Sequence, residues 1–207
     1  MQFVFFNMYF YSVLIPKYIL MINILNYSLK SEQFIYKSII FAILLMTTTM
    51  TQVSLKTIEQ NDNVGMFSIC FDGNSESEFE KFLLEFKDNA TYNKDFNAIL
   101  LALSKIIDKG ALERFFRIEG RMNDHVSALS IDSRKLRLYC LRISDQILIL
   151  GNGGVKLSRT YQEDEKLSGY VMNLQTFDKV LLKAQENGII TIEKNMITDI
   201  ESATFEI

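Results

Sequence analysis

The chain has 207 residues, with 22 basic and 25 acidic side chains, one His, two Cys, one Pro and no Trp. Apolar residues make up 48% and charged ones 23%, which excludes disordered and low-complexity classes. Two cysteines make no disulfide framework, and a lone histidine leaves a zinc site short of its usual ligands. The length fits one domain with an appendage.

The average hides a split. Residues 1–49 carry only Lys17, Lys30, Lys37 and Glu32 as charges, and Phe, Tyr and Ile supply 19 of the 49 positions. Phe3 to Leu25 is an apolar run broken by Asn7, Pro16, Lys17 and Asn23. It is long enough to span a bilayer, for which about 20 residues suffice. Lys17 and Pro16 near its middle argue against a span, and no basic n-region or cleavage site marks a secretory signal. The composition also matches A/T-rich codons read through from untranslated sequence, with Met46 or Met50 as the start. Read-through, membrane anchor and packed extension are the three readings of 1–49. The expectation for the protein is a cytoplasmic one with no membrane partner.

From residue 50 the periodicities are those of a folded domain. Val53–Ile58 alternates apolar and polar, and Met66–Phe71 follows as a second strand after the turn at Asn61-Asp62-Asn63. Ser75 or Ser77 can cap a helix with Phe79, Phe82, Leu83 and Phe86 at helical spacing. Phe96, Ile99, Leu100, Leu103, Ile106 and Ile107 predict a second helix, stopped at Lys109-Gly110. The pair reads as a helical hairpin joined near Asn89–Asn93. His125–Ile131, Lys135–Ile143 and Gln146–Leu150 read as three strands, the last two joined by Ser144-Asp145. Gly151-Asn152-Gly153-Gly154 reads as a loop, lacking both GxGxxG and the Walker spacing. A helix follows from about Glu163 to Ala184, stopped by Gly188, with short strands at Ile189–Ile192 and Ile197–Phe205. The predicted class is α+β: a two-helix hairpin packed on a small antiparallel sheet, plus a C-terminal helix. The predicted units are 1–49, a domain over 50–187, and a tail over 188–207.

Charge is uneven along the domain. Residues 111–161 hold nine basic and five acidic side chains, whereas 50–110 and 162–207 are net acidic. An acidic protein with a basic middle can grip nucleic acid in one place only. Arg114, Arg117 and Arg121 have two readings, RNA phosphate contacts or the solvated edge of a helix end. His125 reads as a general base or, more commonly for a lone strand-start histidine, as a surface or capping residue. Cys70 and Cys140 sit among apolar strand residues and read as buried, reduced thiols; Phe115-Phe116 reads as core.

The stretch from Arg137 to Tyr161 resembles the core of the RelE/ParE toxin superfamily, especially its HigB-like branch. A strand carrying Leu138-Tyr139 runs into a short turn. An Ile/Leu strand follows, then glycines and a basic stretch with Lys156 and Arg159. The helix pair and the segment from Gly110 to Arg117 precede it in the family's order. The resemblance implies a RelE/ParE-like fold and the toxin of a type II toxin–antitoxin pair. Such toxins often cut mRNA on the ribosome. The ribose 2′-OH attacks the adjacent phosphate, so neither metal nor cofactor is expected. That chemistry needs a base, cations for the phosphorane charge and an acid for the leaving oxygen. The matching candidates are Lys156, Arg159, Tyr161 and Arg137, with Arg114, Arg117, Arg121 and Lys135 for RNA binding. Lys135, Arg137 and Tyr139 share a strand face by alternation. The implied partners are a cognate antitoxin, of helix-turn-helix type, and the ribosome with its mRNA. Two departures stand beside the likeness. Ser127-Ala128-Leu129-Ser130 occupies the place of the family's frequent Glu-Leu-Arg. Leu136 stands where its strand arginine usually lies. They support an alternative, a catalytically inactive binding module that pairs with a helix-turn-helix partner.

Overall fold

A computed structural model describes residues 51–207, apart from 120–123, 132–134, 159 and 201–202. The readings of residues 1–49 therefore lie outside the described residues. Among the described residues, no helix is long and apolar enough to cross a membrane.

The first described strand is β1 (Gln52–Gln60), in which Val53 and Leu55 are buried while Gln52, Ser54 and Lys56 are exposed. Asn61 makes the turn: its Oδ1 accepts from the amides of Asn63 at 2.8 Å and Val64 at 3.0 Å. In β2 (Gly65–Phe71) the first five residues are buried, so both of its faces are covered. Helix α1 (Glu78–Phe86) begins with a complete capping box, Ser77 and Glu80 each bonding the other's amide. Helix α2 (Asn93–Lys109) ends where Gly110 takes φ 86°, a left-handed value that favours glycine. Then come β3 (Phe116–Ile118), β4 (Val126–Leu129), β5 (Leu136–Arg142) and β6 (Ile147–Val155). Helix α3 (Glu165–Glu186) is capped by Asp164, whose carboxylate accepts from the Leu167 amide at 3.0 Å. The chain closes with β7 (Ile192–Glu193), β8 (Met196–Ile197) and β9 (Phe205–Glu206).

Seven strands make one sheet, ordered β3-β4-β5-β6-β2-β1-β9. Every pairing described in it is antiparallel except β2 with β6, which run parallel from Gly65↔Ile147 to Ser68↔Leu150. Strands β7 and β8 form a separate hairpin. Helices lie on both faces of the sheet. Phe82, Phe86, Phe96, Ile99 and Ile106 of α1 and α2 pack with Met66, Leu138 and Leu148 on one face. Val171, Leu174, Phe177 and Leu181 of α3 pack with Phe67, Tyr139, Leu141 and Ile149 on the other. Each large side chain buried this way contributes about 1.5–3 kcal/mol of transfer free energy.

This arrangement corrects the predicted fold class. The expected small antiparallel sheet under a helical hairpin, in the RelE/ParE manner, is instead a seven-stranded mixed sheet between two helical layers. The physical reason lies in β2 and β6. Their pairing joins residues about 80 positions apart; the Ser68 hydroxyl, for example, donates to the Leu150 carbonyl, 82 positions on, at 3.0 Å. A parallel pairing of that separation leaves no turn signature. The expected Gly151–Gly154 loop is likewise corrected: those residues continue β6. Beyond Leu150, β6 has left β2. Asn152 fills that side by donating to the Glu78 carboxylate of α1 at 2.9 Å. Lys166 of α3 reaches Glu85 of α1 at 2.8 Å around the same edge.

Candidate functional site

Three strands bring the sequence candidates onto the α3 face. Arg117 of β3 pairs with Ala128 of β4, which pairs with Tyr139 of β5. Residues abreast in antiparallel strands point to the same side, and Ala128 is only a methyl between the two larger neighbours. Arg137, two residues before Tyr139, shares that side. Its partner in β6 is Gly154. The ladder runs one step further: the Lys156 amide donates to the Lys135 carbonyl at 2.6 Å. Those two lysines therefore stand opposite each other at the end of the β5–β6 pair. Tyr161 opens a single 3-10 turn (Tyr161–Glu163) and sets its ring edge-on to Tyr139, with centroids 6.4 Å apart.

The cluster has a dry centre and a wet rim. Tyr139 is 1% exposed and Arg137 is 6% exposed. Burial, then the negative charge of Glu119, pushes the Tyr139 hydroxyl far above the ordinary phenol range. Burial, then the positive charge of Arg117, lowers the Arg137 pKa, while an arginine still keeps its proton. Arg137 donates from Nη1 to the Leu136 carbonyl at 3.0 Å. Lys135 is exposed, and Lys156 and Tyr161 are half-buried. Arg117 is open to water and ion-paired with Glu119.

The structure thus sets Arg117, Lys135, Arg137 and Lys156 on one sheet face, with Tyr161 against Tyr139. It does not gather Arg114. That guanidinium stands 5.1 Å from the Phe115 ring, which packs against the α1–α2 core. Arg121 and Arg159 lie outside the described residues. Leu136 faces the α1–α2 core, one step out of phase with Arg137, as the alternation requires.

Two residues join the picture that sequence reasoning did not single out. Glu119 sits within the basic stretch, and nothing in the pattern distinguishes it from a solvated charge. Asp178 left a signal, because it is an acid on the apolar stripe of α3, and it is 2% exposed. It accepts from the His125 amide at 3.2 Å and lies 2.8 Å from His125 Nδ1. Hydrogen bonding to Asp178 raises the His125 pKa, against the opposing pull of burial. One position earlier, Asp124 accepts from Gln175 at 2.8 Å. The histidine therefore helps hold α3 on the sheet, at the opposite end of β4 and β5 from Arg137. Cys140 is buried, and burial pushes its thiol pKa up; Cys70 is half-buried. Among the described residues, no group of three His, Cys, Asp or Glu is set to hold a metal ion.

Compared with known proteins, the chain matches no family model, no curated protein and no solved structure.

Proposed function

We propose that this protein acts on RNA as the toxin of a type II toxin–antitoxin pair, by metal-independent cleavage of ribosome-bound mRNA. The observation that carries the reading is the convergence of Lys135, Lys156, Arg117 and Tyr161 on one sheet face. The resemblance of the Arg137–Tyr161 stretch to the RelE/ParE superfamily, HigB-like branch, supplies the chemistry. Lys135 and Lys156 supply point charges for a phosphate between them. Lys156 stabilises the charge that builds on the phosphorane. Tyr161 is the reachable hydroxyl for proton transfer to the 2′- or 5′-oxygen. Arg137 and Tyr139 are too buried to touch a ribose-phosphate chain. They are positioning residues, which hold the rim from beneath.

The test is expression in a bacterial host. The wild-type chain arrests growth, the product of an adjacent helix-turn-helix gene relieves the arrest, and mRNA is cut on ribosomes. Lys156→Ala with Arg159→Ala slows cleavage by roughly a hundredfold or more while the melting curve is retained. Harmless expression with intact ribosomal mRNA sinks the reading. The burial of Arg137 and Tyr139 favours a second reading, a non-catalytic module that binds a helix-turn-helix partner. Capture of that partner with no loss of RNA would support it.

A further inference from the structure

Among the described residues, an acid, Glu119, is ion-paired with an arginine of the basic rim. Glu119 follows Arg117 by two residues, so the two side chains leave the chain on the same, α3-facing side. The carboxylate forms an ion pair with the Arg117 guanidinium. The Glu119 side chain is 14% exposed and that of Arg117 is 49% exposed, so the acid lies inside and the cation outside. The same negative charge acts on Arg137 and on the Tyr139 hydroxyl. Glu119 is therefore the ion-pair partner of Arg117, and its charge, with that of Asp95, also favours the charged form of Arg137.

We propose that Glu119 is an internal stand-in for a phosphate: it occupies Arg117 in the free protein, and an RNA phosphodiester binds by displacing it. This rests on the reading that the face binds RNA. A carboxylate and a phosphodiester each carry one negative charge and each suit the guanidinium fork. Swapping one for the other on a half-exposed arginine changes little in net charge. The positive charge of Arg117 on β3 acts on Arg137 of β5, and an anion on Arg117 offsets it. Glu119 thus keeps the empty site folded and quiet, and sets a threshold that only a well-seated phosphate chain passes. It contributes selectivity against stray monovalent anions rather than affinity.

The experiment measures binding of a labelled, unstructured single-stranded RNA to the full chain by fluorescence anisotropy over a range of salt. Glu119→Gln removes the competing charge while keeping size and hydrogen-bonding capacity. It tightens RNA binding on the order of three- to tenfold at low salt, and the gain shrinks as salt screens it. Arg117→Ala weakens binding, and adding Glu119→Gln in that background gains less than about twofold, because the carboxylate no longer has its cation to block. Lys135→Ala with Lys156→Ala tests the underlying reading separately. If that double variant binds RNA as well as the wild type, the face is not the RNA site and both ideas fall. If the lysine variant is weakened but Glu119→Gln binds no tighter, the stand-in role alone is overturned. An equal gain in the wild-type and Arg117→Ala backgrounds overturns it too. A Glu119→Gln chain with a lowered melting temperature is replaced by Glu119→Asp. That shorter acid keeps the charge but loosens the pair, and binds RNA between wild type and Glu119→Gln in strength. No gain from it overturns the stand-in role.

Discussion

Asp178 illustrates how much one charged side chain can decide. A carboxylate on the buried stripe of α3 is costly unless it is hydrogen-bonded. His125 meets that need twice, with its amide and its ring. The bond raises the His125 pKa above its ordinary 6.5 in the folded state. A raised folded pKa means that the stabilisation is complete below the unfolded value. It is then lost as pH rises through the folded value. The charges around the ring are Asp178 on α3, Asp124 beside it and Arg142 on β5, and the last opposes the shift. The melting temperature is therefore expected to fall as pH rises from about 6 to about 8. His125→Gln should melt lower at the acid end and show a flatter profile. Parallel wild-type and variant curves would count against the coupling. The same logic of partnered charge applies to Glu119 and Arg117, although that pair lies at the edge of the sheet.

Among the elements, β6 differs most from its sequence appearance. Ile147 to Leu150 is a continuous apolar run, the pattern of a strand covered on both faces. The glycines that follow look like a loop but serve close approach. A Cβ on Gly153 would meet the Arg137 carbonyl at 1.9 Å, and one on Gly151 would meet Leu174 at 2.9 Å. The first obstacle is backbone and cannot move aside. Gly169 in α3 is the contrast, with nothing within 4 Å of an added Cβ. Gly153→Ala should cost at least about 2 kcal/mol and displace Arg137. Gly169→Ala should stabilise by about 0.5–1 kcal/mol through helix propensity. Urea midpoints of the two variants, measured side by side, check both signs. The register shift between Leu138 and Cys140 lies in the same region, where β5 passes the glycines.

For the molecule as a whole, the sheet edges carry the exposure that its faces avoid. One edge is β3, three residues long. On the other side β1 is covered by β9, with Thr51 and Ile207 exchanging backbone bonds at 3.1 and 3.0 Å. Short edge strands limit pairing with other chains. Phe205 pins β9 from within: it is 3% exposed, and its ring meets Phe177 of α3 edge-on at 5.2 Å. Phe205→Ala is expected to cost about 3–5 kcal/mol and to free the β1 edge. Chemical denaturation reads the first effect. Light scattering at rising protein concentration reads the second, as association absent from the wild type. An unchanged midpoint would mean that the C-terminal strand is not part of the cooperative unit.

Local patterns were legible in the residues themselves: the alternation of Val53 and Leu55, the phenylalanine spacing of α1, the stripe of α3 and the glycine stop at 110 are all short-range rules of period and capping. The shared face of Lys135, Arg137 and Tyr139 follows from alternation as well. The parallel contact of β2 with β6, and with it the two-sided helical packing, could not be read this way. It depends on apolar runs about 80 residues apart finding each other, and those runs carry no mark of their partner. Nor could the burial of Arg137 or the place of Glu119 be read. Whether a charge is a core member, a rim contact or a competitor depends on what lies across the sheet from it, and only the folded chain brings those neighbours together.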